Sequence, residues 1–134
     1  MPTWIGSFKN GSPVLKVSIP GDRGRRSFQA IIDTGFSGFG LMPLSQARKL
    51  GLPLSGVTSV VYADGRRSAR PTAFARVAVG RSKDIEGLII LEPRSEELLL
   101  GTEFLRATRK VLVLDMNTPG VELRDASKVA GRSA

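Results

Sequence analysis

The carboxyl group best placed for chemistry in this sequence belongs to Asp33. It follows the β-branched apolar pair Ile31-Ile32 and precedes Thr34-Gly35. A carboxylate at the end of a buried strand is costly unless it is hydrogen-bonded or shares a proton, so its surroundings must be built to hold it. Three glycines fall within residues 33–40, and this segment is therefore predicted to form a shaped loop.

Residues next to Asp33 supply groups that could support a reactive carboxyl group. The hydroxyls of Thr34 and Ser37 can donate hydrogen bonds to nearby acceptors, and Gly35 lets backbone approach closely. The alternative interpretation is that Asp33 only caps a turn, because Asp-x-Gly is common turn chemistry. No other acidic residue lies in an Asp-Thr-Gly setting, so the chain offers one such carboxyl group.

The composition disfavours several other classes of enzyme. The chain has no histidine and no cysteine. A serine or cysteine triad needs an imidazole base, and most catalytic zinc sites use imidazole ligands, so carboxylate or lysine chemistry remains. We expect neither a metal nor another cofactor. The lack of cysteine fits a reducing compartment, and the first ten residues contain no long apolar run, so we expect a cytoplasmic protein without a membrane span.

The net charge of +8 raises the question of nucleic-acid binding. The basic residues are dispersed in short groups, and the chain has one tryptophan and one tyrosine on which bases could stack. Solvated surface is therefore the favoured interpretation of the charge, and nucleic acid is not an expected partner. Binding of nucleic acid by a small basic β-barrel remains a third, more distant alternative.

Short strands separated by frequent turns dominate the predicted structure. Fifteen glycines and eight prolines are spread along 134 residues. Alternating or continuous apolar runs predict strands at 14–19, 27–32, 57–62, 73–79, 85–91, 111–114 and 121–123. Two short helices are predicted at 43–50 and 102–108, the second capped by Thr102. The expected fold class is mostly β, a compact barrel with one or two short helices.

The order and spacing of these motifs resemble the aspartic peptidases. Residues 31–38, Ile-Ile-Asp-Thr-Gly-Phe-Ser-Gly, match the signature apolar-apolar-Asp-Thr-Gly-x-Ser, and Leu-Leu-Gly at 99–101 matches the second signature ahead of a short helix. The Asp-Gly turn within 62–65 falls where these enzymes place the flap hairpin. The chain is most similar to the small bacterial single-domain members of the retropepsin group. The similarity covers roughly residues 12–125 of a single domain expected over 1–134, whose tail, 126–134, is expected to be flexible.

The resemblance implies an aspartic endopeptidase that works as a C2 homodimer on peptide or protein substrates. Asp33 of each chain would face its counterpart and share a proton around a water molecule. Thr34 would bond across the dimer axis, Gly35 would leave room and offer its N–H, and Ser37 would donate to Asp33. Leu100 and Gly101 would pack behind the loop as structural residues.

The resemblance also assigns a flap, and the sequence departs from the retroviral members at two places. The flap residues that would close over the substrate are Tyr62, Ala63, Asp64 and Gly65. Each has a plainer interpretation, because Asp-Gly is simply a good hairpin turn and a tyrosine on a strand commonly packs at an edge. Phe36 replaces the alanine of many retroviral members, and Thr102-Glu103 replaces their arginine-containing continuation. A catalytically inactive dimerisation or peptide-binding module of the same fold is the main alternative.

Overall fold

The computed structural model describes residues 3–118 and 120–125 as ten strands and two short helices. The tail for which flexibility was expected lies outside these residues. The elements in chain order are β1 (Trp4–Lys9), β2 (Ser12–Gly21), β3 (Gly24–Ile32), β4 (Gly40–Pro43), α1 (Leu44–Leu50), β5 (Gly56–Val61), β6 (Arg67–Val77), β7 (Ile85–Glu92), β8 (Leu98–Leu100), α2 (Thr102–Thr108), β9 (Lys110–Asp115) and β10 (Gly120–Asp125).

The strands form one sheet in the order β5-β6-β7-β4-β8-β3-β2-β1-β10-β9. The mostly β prediction with two short helices is confirmed, but the predicted barrel is wrong because the sheet is not closed. β5 and β9 each pair with a single strand and stand at opposite ends of the sheet. The sheet does fold back on itself, since Ser18 and Ala78 exchange two backbone hydrogen bonds of 2.9 Å.

The core is built from the inward-facing residues of the central strands. On β2, Leu15, Val17 and Ile19 alternate with more exposed residues, as expected for a strand with one buried face. Both helices cover this core. Leu50 of α1 and Phe104 of α2 are almost completely buried. Phe104 also meets Phe39 edge to face, with ring centroids 5.6 Å apart.

Four adjacent strands place the loop that carries Asp33. β3 runs parallel to β8, β8 is antiparallel to β4, and β4 is parallel to β7. The chain therefore leaves β3 at Ile32, passes through the loop, and returns as β4 on the far side of β8. Strand β8, which enters the sheet from much later in the sequence, fills the gap between them.

Both helices lie where the sequence predicts them. α1 ends at Gly51, whose φ of +73° is the left-handed conformation that glycine adopts at helix ends. α2 differs from its prediction at its start, because the N-cap is Gly101 and no side chain caps the helix. Thr102 is instead the first helical residue. Neither helix of the described chain is long and apolar enough to cross a membrane.

Candidate active site

Asp33 is held at the end of β3 by backbone hydrogen bonds on both sides. Its N–H donates to the carbonyl oxygen of Leu100 at 2.9 Å, which extends the β3–β8 ladder by one residue. Its own carbonyl accepts from the Phe36 N–H at 3.2 Å, closing a tight turn. The Gly35 N–H donates to Asp33 Oδ1 at 2.9 Å. The side chain is half-buried, so the carboxyl group has a fixed position and remains accessible.

The start of α2 holds the rest of the loop. The N–H groups of Thr102 and Glu103 donate to the carbonyl oxygens of Phe36 (2.9 Å) and Gly38 (3.3 Å). These are amides of the first helical turn, which have no partner within the helix itself. The loop carbonyls satisfy them, so the helix start and the Asp33 loop form one hydrogen-bonded unit.

Gly101 is the residue that allows this contact. A Cβ atom at this position would overlap the carbonyl oxygens of Gly38 and Phe36. Its N–H also donates to the Phe39 carbonyl oxygen at 3.0 Å. Leu100 and Gly101 therefore lie directly behind the loop, as the sequence predicts. They act through backbone atoms and close packing, and they offer no reactive side chain.

The structure bears differently on the predictions for Thr34 and Ser37, the two hydroxyl residues of the loop. The side chains of Thr34 and Ser37 are exposed, and neither donates a hydrogen bond within the described part of the chain. The hydrogen bond predicted from Ser37 to Asp33 is therefore not formed in the single chain. Ser37 contributes its carbonyl oxygen instead, which accepts from Thr102 Oγ1 at 3.4 Å. The predicted bond of Thr34 to a partner loop stays a prediction.

Residues 62–65 form the turn of the β5–β6 hairpin. Gly65 donates its N–H to the Tyr62 carbonyl oxygen at 2.9 Å and has a φ of +86°, as an Asp-Gly turn requires. Asp64 binds Arg66 within the turn at 2.6 Å. Ala63, Asp64 and Gly65 are exposed, whereas the Tyr62 side chain is half-buried. The predicted hairpin is present, with its tip in solvent.

A polar cluster at the base of this hairpin was not foreseen from the sequence. Arg70 Nε lies 3.1 Å from both carboxylate oxygens of Glu92, and Arg70 Nη2 donates to Tyr62 Oη at 2.7 Å. Tyr62 Oη donates in turn to Glu92 Oε2 at 3.2 Å. The hydrogen bond that Arg70 donates to Glu92 raises the pKa of Arg70, so the guanidinium stays charged at any working pH. The cluster ties β6 and the flap turn to β7.

Asp33 and this cluster lie on the same side of the sheet. Side chains alternate along a strand, so Asp33 points to the same side as Ile31. Ile31 pairs with Leu99, Leu99 pairs with Leu41, and Leu41 pairs with Ile90. Two residues beyond Ile90 lies Glu92. The side of the sheet that carries the carboxyl group therefore continues to the base of the flap.

Asp33 lines neither of two open surface cavities formed by residues 3–118 and 120–125. One of about 520 Å³ lies between the flap hairpin and the segment before β8. The other, of about 600 Å³, lies along β3 and brings together Lys9, Arg26, Glu96 and Glu97 among other residues. Asp33 itself is half-buried and lies at the end of β3.

Comparison with known proteins identifies the family. The family model described as "gag-polyprotein putative aspartyl protease" matches residues 19–107. This stretch contains the Asp33 loop, the flap hairpin and the start of α2. The chain belongs to this family. An uncharacterized protein of Archaeoglobus fulgidus is 30% identical over 125 residues, which cover 87% of this chain and 96% of that protein.

The fold of this chain is shared with a solved structure. The crystal structure of a retropepsin-like aspartic protease from Rickettsia conorii superimposes with a TM-score of 0.60 and covers 91% of this chain and 90% of that one. The two are 18% identical, so the likeness concerns the fold. The chain therefore belongs to an aspartyl protease family and has a retropepsin-like fold, as its sequence motifs predict.

Proposed function

We propose that this chain is an active aspartic endopeptidase and that it works as a homodimer in which each copy supplies one Asp33. The observation that carries the proposal is the position of this residue. Its carboxyl group is fixed by the Gly35 N–H at 2.9 Å and by the backbone bond to Leu100, yet it stays half-exposed at an edge of the fold.

The reaction needs two carboxyl groups with different protonation. The ionised one takes a proton from a bound water molecule, which attacks the carbonyl carbon of the peptide bond. The protonated one donates a hydrogen bond to the carbonyl oxygen as negative charge develops on it. Two carboxyl groups at close range cannot both ionise, so a pair of Asp33 side chains would share one proton and titrate as a unit.

A single chain supplies only half of this arrangement. The sequence contains one Asp-Thr-Gly motif, and a C2 axis beside it would bring a second, identical loop opposite. The exposure of Thr34, Gly35 and Ser37 supports this, because these residues surround Asp33 and stay open to a second copy. In such a dimer the exposed hydroxyls of each loop would face the other loop.

The decisive test compares wild type with Asp33→Asn on unfolded protein and on a peptide library from about pH 4 to about pH 7. We expect cleavage by the wild type with a bell-shaped pH profile and none by the variant. Asp22→Asn, an exposed aspartate between β2 and β3, is the matched control and should cleave normally. Cleavage that survives Asp33→Asn would refute the mechanism.

The homodimer has its own test. When equal amounts of wild type and Asp33→Asn exchange subunits at random, about a quarter of the dimers carry two intact carboxyl groups. We therefore expect the activity per wild-type chain to fall to about half after exchange. Activity that stays proportional to the wild-type chain alone would show that one Asp33 suffices. No cleavage by the wild type, with dimers present, would favour the inactive binding module.

A further inference from the structure

The cavity between the flap hairpin and the segment before β8 is lined by an excess of positively charged side chains. It has a volume of about 520 Å³. Four arginines and one acidic residue line it, together with four uncharged residues. The lining residues are Leu41, Tyr62, Arg66, Arg67, Ser68, Arg70, Glu92, Arg94 and Ser95. Like charges gathered around one concave space repel each other, so they mark a place where an opposite charge would be stabilised.

The only acidic residue of the lining is already neutralised. Both oxygens of Glu92 lie 3.1 Å from Arg70 Nε, and these two side chains are 12% and 20% exposed. The other donors of Arg70 are also engaged, by Ser68 Oγ at 2.6 Å, by the Ala69 carbonyl oxygen and by Tyr62 Oη. Arg70 and Glu92 therefore form a closed structural pair that leaves the charge of the cavity to the other arginines.

Two of those arginines are uncompensated. Arg66 is bound to Asp64 at 2.6 Å, which cancels its charge locally. The side chains of Arg67 and Arg94 are exposed and form no ion pair or hydrogen bond within residues 3–118 and 120–125. One comes from the start of β6 and the other from the segment after β7, so they approach the cavity from two sides. Their guanidinium groups offer free donors in a geometry that suits a carboxylate.

The cavity belongs to the side of the sheet on which Asp33 lies. Leu41 lines it, and Leu41 pairs with Leu99, which precedes the residue that accepts the Asp33 N–H. Tyr62 of the flap turn lines it as well. A peptide that passes beneath the flap toward Asp33 would therefore place one of its side chains beside Arg67 and Arg94.

We propose that this cavity is a subsite that selects an acidic side chain of the peptide substrate, with Arg67 and Arg94 binding its carboxylate. This rests on the proposed peptidase function and adds a preference for substrates with Asp or Glu at one position. A peptide fits better than a nucleic acid. The single aromatic ring of the lining belongs to Tyr62, whose hydroxyl is engaged, and two free cations in one cavity do not form the row that a phosphate backbone needs.

Binding to the Asp33→Asn protein tests the subsite without depending on cleavage. Fluorescent peptide pairs that differ only by Glu or Gln at one position, moved along the peptide, are titrated by anisotropy. At one position we expect the Glu peptide to bind about tenfold tighter, and the advantage to shrink as salt rises. Arg67→Gln/Arg94→Gln should abolish the Glu advantage and leave Gln peptides unchanged. The control, Arg48→Gln/Arg81→Gln, removes two exposed arginines outside the cavity and should retain it.

A charge reversal makes the test sharper. Arg67→Glu/Arg94→Glu should turn the preference at that position from Glu to Lys, which a loss of folding cannot imitate. Equal binding of Glu and Gln peptides at every position, an equal loss in the Arg48/Arg81 control, or no peptide binding at all would overturn the inference. A single-stranded oligonucleotide that binds more tightly than the Glu peptide and displaces it would also overturn it, in favour of nucleic acid. Loss of the peptidase function alone would appear in the cleavage assay and leave these binding results intact.

Discussion

The backbone N–H of Asp33 donates to the carbonyl oxygen of Leu100 at 2.9 Å. Asp33 is thus fixed to β8, the strand that leads into α2. The backbone of Gly101, the next residue, packs against the Gly38 and Phe36 carbonyl oxygens and donates its N–H to the Phe39 carbonyl oxygen. The Asp33 loop therefore depends on two adjacent residues of a distant segment, Leu100 and Gly101, and a change in that segment should displace the loop without altering the Asp33 carboxyl group itself.

Gly101→Ala should destabilise the protein. The new Cβ atom would overlap the Gly38 and Phe36 carbonyl oxygens, both of which are backbone atoms that cannot turn aside. Overpacking of this kind typically costs about 1–3 kcal/mol of unfolding free energy. Urea denaturation measures the loss, and cleavage at a temperature where the variant stays folded should fall as well.

The matched control for this change is Gly56→Ala in β5. A Cβ atom at Gly56 would find its nearest neighbour, Thr72 Oγ1, at an ordinary 3.7 Å. We expect its unfolding free energy to stay within about 0.5 kcal/mol of the wild type. Equal stability of the two variants would show that the α2 start does not pack against the loop as closely as described.

Arg70→Met should weaken the base of the flap. It leaves the Glu92 carboxylate, 12% exposed, without its guanidinium partner. The Tyr62 hydroxyl still donates to one oxygen of Glu92, and the loss of the charged partner of a largely buried carboxylate costs about 1–3 kcal/mol. We expect a lower urea midpoint and faster amide hydrogen exchange at the 62–66 turn. Arg70→Met/Glu92→Met should recover part of the loss, because it removes both members of the pair.

Arg66→Met provides the comparison for this prediction. Arg66 and Asp64 also form an ion pair, but their side chains are 77% and 53% exposed. Exposed pairs contribute about 0–1 kcal/mol, so Arg66→Met should change the urea midpoint little. The prediction fails if Arg70→Met costs no more than Arg66→Met, or if the double variant is no better than the single one.

Because of Asp115, the free energy of unfolding should depend on pH in the acid range. Its carboxylate accepts from Thr118 Oγ1 at 2.8 Å and from the N–H groups of Asn117 and Thr118, and these bonds lower its pKa below the ordinary aspartate value. A carboxyl group whose pKa is lowered by folding stabilises the fold above its unfolded pKa of about 3.9. That contribution is lost as the pH falls through the folded pKa.

The measurement compares melting temperatures of wild type and Asp115→Asn from about pH 7 to about pH 2. The wild type should melt higher at neutral pH, and the difference should disappear in acid, where its own carboxyl group is protonated. Asp22→Asn, at a turn where the aspartate has no hydrogen-bond partner in the described chain, should show no such difference. A difference between wild type and Asp115→Asn that is the same at every pH would contradict the assignment.

The sequence predicts those parts of the site that are local in the chain. The three glycines after Asp33 predict a loop, Gly51 marks the end of α1, and Asp64-Gly65 marks the flap turn. Each of these signals acts through the backbone of a few neighbouring residues, so no knowledge of the tertiary fold is needed. The same reasoning missed β1, because Gly6 and Ser7 interrupt its apolar pattern, and it did not recognise the four-residue β4 as a strand.

Contacts between distant segments could not be foreseen in this way. Arg70 and Glu92 are 22 residues apart, and nothing near either residue indicates the other. Whether the sheet closes depends on strand order, which alternation does not determine, and the predicted barrel was wrong for this reason. The predicted hydrogen bond of Ser37 was not found, because the hydroxyl faces solvent while the carbonyl oxygen of the same residue meets Thr102.

Because α2 holds the Asp33 loop, the loop reaches its final structure only after α2 has been synthesised. Thr102, which binds the loop through Ser37, lies 65 residues further along the chain. A nascent chain that has emerged only as far as the flap holds the Asp-Thr-Gly motif but lacks both β8 and α2. The Asp33 N–H therefore gains its Leu100 acceptor, and the Phe36 carbonyl gains the Thr102 amide, only after most of the polypeptide has left the ribosome.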